Sequence, residues 1–272
     1  MKRIVSIQDI SCLGKCSETV ALPIISSMGI ETAILPTSIL STHTAFSEFT
    51  FKDLSDEIYK IIEHWKKEKF QFDLIYIGYT GNNKILDLVL YFIKAFKTET
   101  NIVVFDPAVA DHGKMYAGIN ESVLEKMKEV CKLADYIKPN LTESALLLGK
   151  EYKENYTIEE IEELAKELRN LGTKNVVITG VIKEDKMGAI GYDGVRYYSN
   201  FETKYNASYH GTGDVFSSVL SGSLVKGKTL EEAIKIATKF TTESVRLTYE
   251  DTNGTKYGVN FEETIPYLIK LL

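Results

Sequence analysis

The chain is short of cysteine, has no basic block and has no apolar run of membrane-spanning length, and each shortage removes a class of function. Three cysteines, Cys12, Cys16 and Cys131, among 272 residues cannot build a disulfide framework. No second Cys/His pair stands at zinc spacing from Cys12 and Cys16, so free thiols in a reducing compartment are expected. The formal net charge is −6 without any cluster of Lys and Arg, which argues against a nucleic-acid partner. It also means that an anionic ligand must be held by local donors and metal, because the overall field does not attract it. The basic start Met1-Lys2-Arg3 precedes an apolar run too short for a signal peptide, and nothing reaches spanning length. A soluble cytoplasmic protein, engaging neither nucleic acid nor membrane, is the expectation. Repeats, low-complexity tracts and Pro/Gly/Ser linkers are missing as well, so residues 1–272 are expected to form one domain.

What is present is a hydrophobic content of 44%, enough for a sizeable core, arranged in alternating patterns. Short apolar runs predict strands at Ile4–Gln8, Thr32–Pro36, Leu74–Gly78, Ile102–Asp106, Tyr136–Lys138 and Val176–Thr179. Amphipathic stretches predict helices at Ser17–Met28, Leu54–Lys67, Lys84–Phe96, Ser122–Leu133 and Ile158–Leu171. The last opens on a capping-box pattern, Thr157 with Glu160, and closes on Gly172. Asp193-Gly194, flanked by alternating residues, predicts a hairpin. The alternation specifies βαβ units: an α/β fold with a mainly parallel sheet and helices on both faces.

The most informative segment is Tyr209-His210-Gly211-Thr212-Gly213-Asp214-Val215-Phe216. Two glycines and a threonine stand at the start of a helix whose apolar face is Val215, Phe216, Val219, Leu220 and Leu224. Backbone N–H groups at such a helix start form an anion site. A carboxylate beside an anion site repels the anion unless it has a task, and one task is to take the proton of a hydroxyl that then attacks a bound phosphate. The plainer reading is a helix start capped by Thr212 or Asp214. A second segment, Gly222-Ser223-Leu224-Val225-Lys226-Gly227-Lys228-Thr229, satisfies the P-loop expression letter for letter. It does not follow a strand, and Leu224 and Val225 continue the helical stripe. Gly227 reads as the end of that helix, and Thr229 with Glu232 as the capping box of the next.

Ligands of open parallel sheets lie beyond the carboxyl ends of the strands. Here those ends are polar: Gln8-Asp9, then Thr37 with Ser41, Thr42, His43 and Thr44, then Gly78-Tyr79-Thr80, Asp106-Pro107, Pro139-Asn140 and Thr179-Gly180. Together they resemble the rim of a pocket. Taken with Asp111, with Leu141-Thr142-Glu143 and with Gly211-Thr212-Gly213-Asp214, they resemble the vitamin B6 (pyridoxal/pyridoxamine) kinases of the ribokinase-like superfamily over nearly the full length. The glycine-aspartate segment is shared across that superfamily; the Ile7-Gln8 and Ser41-Thr42-His43-Thr44 segments are narrower and point to B6 vitamers.

The resemblance implies a three-layer α/β/α sandwich, a homodimer, and an ATP-dependent kinase acting on a vitamer 5′-hydroxyl. Asp214 would be the general base, and the amides of Gly211, Thr212 and Gly213 would bind the transferred phosphoryl. Asp9, Thr44 and Tyr79 would line the vitamer pocket, with His43 close by as a structural hydrogen-bond donor. Asp106, Asn140, Glu143, Thr179 and Tyr116 would surround ATP, and Asp106, Asp111 and Glu143 a magnesium ion, partly through water. Oxygen donors of this kind suit Mg²⁺. Asn140 and Glu143 also match a helix cap. Two positions depart from the pattern. Asp9 stands where many pyridoxal kinases have serine, which suggests pairing with the aminomethyl cation of pyridoxamine. Lys138 stands where threonine is common and is expected to point to solvent or to assist the triphosphate. Two other functions stay open: a hydroxymethylpyrimidine or sugar kinase of the same fold, and a non-catalytic vitamer- or nucleotide-binding protein.

Overall fold

The computed structural model describes residues 1–116, 118–252 and 257–272. In chain order the elements are β1 (Arg3–Leu13), α1 (Glu18–Ser27), β2 (Glu31–Thr42), β3 (Phe51–Asp53), α2 (Ser55–Lys67), β4 (Leu74–Ile77), α3 (Asn83–Phe96) and β5 (Ile102–Phe105). A small hairpin follows, β6 (Ala110–Asp111) and β7 (Lys114–Met115), then α4 (Glu121–Leu133), β8 (Tyr136–Ile137), α5 (Leu141–Leu147) and α6 (Ile158–Arg169). The chain ends with β9 (Asn175–Lys183), β10 (Lys186–Tyr192), β11 (Tyr197–Thr203), α7 (Thr212–Val225), α8 (Leu230–Glu250) and α9 (Ile265–Leu271).

Nine strands form one sheet in the order β11-β10-β9-β8-β5-β4-β1-β2-β3. The six from β9 to β2 are parallel, while at the edges β3 pairs antiparallel with β2, β10 with β9 and β11 with β10. Alternate residues of the inner strands feed two cores. Val5, Ile7, Ile75, Ile77, Val103 and Phe105 pack on one side with α2, α3, α4 and α6. Ile4, Leu74, Tyr76 and Val104 pack on the other with α1, α7 and α8. Burial on both faces is why these strands read as nearly continuous apolar runs. The result is the expected three-layer sandwich. No described helix is long and apolar enough to cross a membrane.

Each of the six expected strands and five expected helices is present. The hairpin at Asp193-Gly194 joins β10 to β11. The first two strands are longer than expected, because β1 and β2 stay paired beyond the sheet edge as far as Leu13 and Thr42. Their register slips between Gln8 and Ile10, where Asp9 stands opposite two residues of β2, Thr37 and Ser38, a bulge in β2. Asp9 is therefore inside β1 and not at its end. The chain order reverses direction between β1 and β4, the switch point at which an open sheet leaves a crevice at its carboxyl edge.

Candidate active site

The amino end of α7 faces this crevice. Gly211 caps the helix in the left-handed region, φ 80°, and a Cβ there would lie 1.8 Å from the carbonyl oxygen of Lys15. Only glycine satisfies both conditions. The loop between β1 and α1 thereby closes on the helix start. Among the described residues none accepts a hydrogen bond from the N–H of Gly211, Thr212 or Gly213. These amides sit at the positive end of the helix dipole and are free to meet an anion.

Asp214, in the first turn of α7, is half-buried. Its Oδ2 accepts the backbone N–H of Ser17 at 2.9 Å, which fixes the carboxylate beside the amides. Burial pushes its pKa up to about 7, with Asp106 and Asp9 adding to the rise and the Ser17 N–H and Lys138 opposing it. A carboxylate tuned to neutrality is suited to accept a proton. The alternative of Thr212 or Asp214 as a side-chain cap is not realised: the helix start has no side-chain cap bond, and Thr212 Oγ1 donates instead to Tyr209 O at 3.2 Å.

Beneath the helix start lies a second acid. Asp106, just past β5, is 3% exposed. Its Oδ2 accepts from Ser217 Oγ at 2.7 Å and lies 2.9 Å from Lys138 Nζ. Lys138 is thus buried in the site, and the expectation of a solvent-facing lysine is corrected: the short strand β8 ends at Ile137 and turns the next side chain inward. Burial works to lower its pKa, but Asp106, Glu143 and Asp214 outweigh it and raise the value.

Asn140 and Glu143 form a capping box at α5. Asn140 Oδ1 accepts the Glu143 N–H at 2.9 Å, and Glu143 Oε2 accepts the Asn140 N–H at 2.8 Å. Glu143 Oε1 takes the N–H of Val109 at 3.1 Å. Burial, then Asp106, pushes Glu143 up to about 8, against Lys138 and the two amides. Asn140 Nδ2 donates to Ala110 O at 2.7 Å, which ties the β6–β7 hairpin to the sheet edge. Thr179, on β9, bridges to Asn140. Tyr116 and Asp111 are exposed on and beside the hairpin. The Tyr116 hydroxyl lies in the field of Glu143, Asp111, Asp106 and Asp214, so the hairpin overhangs the same edge.

On the other side of the crevice, Asp9 is buried and accepts from Ser17 Oγ at 2.5 Å and Ser11 Oγ at 3.1 Å. Burial raises its pKa despite these two hydroxyls. Tyr79 stands half-buried after β4, its hydroxyl pKa raised by burial and by Asp9. His43 is buried: Nδ1 accepts the N–H of Ala45 at 3.3 Å, so Nε2 is the atom that donates to Tyr257 O at 3.2 Å. Its ring stacks on His210 at 4.7 Å between centroids. Thr44 is exposed on the following turn.

The fold therefore gathers Asp9, Asp106, Glu143, Gly211, Thr212, Gly213 and Asp214 around one crevice, while Thr44 and Asp111 stay at its open margin. No three His, Cys, Asp or Glu side chains among the described residues converge on a common point. Both oxygens of Glu143 are taken by amides. The donor set fits magnesium only as an ion carried in by phosphate oxygens, with Asp106 or Asp111 and water completing its shell. Sequence reasoning missed Ser217, one turn after Asp214 on the same face. It also missed the Ser17 N–H, which leaves no side-chain signal. Glu18 escaped it too: this acid is buried at the start of α1 and pushed up to about 8 by burial, with Asp9 and Asp214 adding to the rise.

Comparison with known proteins identifies relatives of this chain. A Bacteroides thetaiotaomicron structure solved with pyridoxal superposes with a TM-score of 0.94 at 38% identity, covering 98% of this chain and 95% of its own. A hydroxymethylpyrimidine/phosphomethylpyrimidine kinase of Aquifex aeolicus is 31% identical over 72% of this chain and 73% of its own length. The pyridoxal kinase of Dictyostelium discoideum is 28% identical over 86% and 83%. The phosphomethylpyrimidine kinase family model matches residues 23–260. The chain belongs to that family, as a phosphotransferase with an alcohol acceptor built on the ribokinase-like fold shared with the pyridoxal kinases.

Proposed function

We propose that the protein transfers the terminal phosphoryl group of ATP to the 5′-hydroxyl of a vitamin B6 vitamer. The observation that carries this reading is the pairing at the start of α7: three unspent amides beside a carboxylate whose pKa stands at about 7. Asp214 takes the proton of the acceptor hydroxyl as its oxygen attacks phosphorus, and the bond to the bridging oxygen of ADP breaks. The amides of Gly211, Thr212 and Gly213 face the oxygens of the moving group, where preorganised donors act most strongly. Magnesium, when bound with the nucleotide, neutralises phosphate charge. Asp106, Asn140, Glu143, Thr179 and Tyr116 border the nucleotide side. Asp9, Tyr79 and Thr44 border the acceptor side, and His43 supports the wall behind them. Asp9 is already engaged by two hydroxyls, so a preference for pyridoxamine rests on whether its carboxylate can also meet an ammonium. A homodimer fits the reading.

A second acceptor, hydroxymethylpyrimidine, is supported by the family model and by the Aquifex relative. Both acceptors are primary alcohols on a flat aromatic nitrogen ring, so the transfer chemistry is the same and only the pocket walls choose. The deciding experiment is coupled ADP release over pyridoxal, pyridoxine, pyridoxamine, hydroxymethylpyrimidine and several sugars. The proposal expects the highest kcat/KM with a B6 vitamer. A clear preference for hydroxymethylpyrimidine or a sugar overturns the vitamer assignment. Ligand binding without ADP release from any acceptor overturns the kinase assignment.

A further inference from the structure

Among the described residues Lys138 is the only buried lysine or arginine. It leaves the carboxyl end of β8, and its ammonium lies 2.9 Å from Asp106 Oδ2. The same nitrogen is 3.5 Å from the point a Cβ would occupy at Gly213, which places it against the amides that open α7. Three acids share its field: Asp106 after β5, Glu143 in α5 and Asp214 in α7. Asp106 is held in turn by Ser217, so strand ends β5 and β8 and helix α7 meet at this one cation.

Fold stability gives little reason for a lysine here. Desolvation of both ions offsets their attraction, and an apolar pair of similar volume is often as stable. A functional reason is closer at hand. A phosphoryl group drawn to the α7 amides enters a space bounded by three carboxyl groups, and a cation among them lowers that repulsion. An ammonium carries three N–H donors, and among the described residues Asp106 alone lies within ion-pair reach. Donors therefore remain for a ligand.

We propose that Lys138 is a catalytic cation that grips a non-bridging oxygen of the phosphoryl group in transit, with Asp106 and Ser217 holding it in place. The inference rests on the phosphotransfer reading above. In the step, the acceptor proton passes to Asp214, the new O–P bond forms, the bond to the nucleotide oxygen breaks, and Lys138 keeps all its protons. Because the contact is to the moving group, its loss falls on kcat more than on KM.

The wild type is assayed first with ATP and the acceptor panel. Turnover of no acceptor removes the functional reading, and this assignment with it. Given turnover, Lys138→Met is expected to lower kcat on the order of 10²-fold, with both KM values within about threefold. Lys138→Ala is expected to recover part of its loss with added ethylammonium but not with ethanol. A folded Lys138→Met variant with unchanged kcat, or a loss confined to KM, overturns the assignment and leaves Lys138 as the counter-ion of Asp106. Should the variants unfold by stranding Asp106, the wild type decides the matter in crystals with ADP, aluminium fluoride and acceptor. Lys138 Nζ is expected within about 3 Å of a fluoride; an ammonium touching Asp106 alone overturns the proposal.

Discussion

Helix α7 has two ends that look alike in sequence and behave differently in space. Each carries a glycine in the left-handed region, Gly211 with φ 80° and Gly227 with φ 81°. Each lies in a glycine-containing segment that can be read as a phosphate loop. At the carboxyl end the amides are spent. Gly227 N–H donates to Leu224 O at 3.0 Å, Lys228 N–H to Ser223 O at 3.1 Å and Thr229 N–H to Glu232 Oε2 at 2.8 Å. At the amino end the N–H groups of Gly211, Thr212 and Gly213 have no acceptor among the described residues. The direction of the helix makes the difference: unpaired donors collect at its start and unpaired carbonyls at its end. A motif becomes an anion site only where its amides remain available, and letters alone do not record that.

Asp214→Asn should break the contrast most completely. Removing the base is expected to cut kcat by about 10³-fold, within the range for general-base catalysis, while calorimetry still detects nucleotide binding. A milder probe of the same residue is pH. Asp214 acts as a base only when ionised, and its pKa stands at about 7. The kcat/KM of the wild type, which reports the free enzyme, is therefore expected to fall as pH drops below that value. A flat profile from neutrality down to the ordinary carboxylate range would show that Asp214 is not the group in control.

The paired glycine substitutions sharpen the comparison. Gly211→Ala forces a Cβ to within 1.8 Å of Lys15 O at a positive φ. It is expected to cost about 2 kcal/mol or more in urea unfolding and to remove most activity, because the loop bearing the Ser17 N–H must shift. Gly227→Ala meets nothing within 4 Å and is expected to cost about 1 kcal/mol from backbone strain alone, with kcat unchanged. The smallest effect belongs to Lys228→Ala. Its side chain is only half-buried and lies past the carboxyl end of α7, away from the site, and kcat is expected to stay within about twofold of wild type.

Most of the architecture could be read from periodicity, since strands buried on both faces and helices buried on one leave plain patterns. The capping boxes were legible as well, but their electrostatics were not. Thr229 with Glu232 and Asn140 with Glu143 are the same local device. Glu232 is exposed, and its pKa is lowered by the Thr229 amide and hydroxyl. Glu143 is buried beside Asp106 and is pushed up to about 8. A capping pattern specifies three residues of geometry, whereas the charge state answers to everything packed around it. The solvent-facing reading of Lys138 failed for the same reason: an isolated lysine reads so until a short strand aims it at Asp106.

The sequence alone determined the alternation of strands and helices, the sites of the main helix caps and the presence of a carboxylate next to a glycine-rich helix start, because these depend on residues near one another along the chain. Tertiary structure alone decided which amides stay unspent, that Ser17 holds Asp214, that Asp9 faces a bulge in β2, and that one buried ammonium stands among three acids. Those properties depend on distances between residues far apart in the chain and on exclusion of water, and neither is encoded in any single segment.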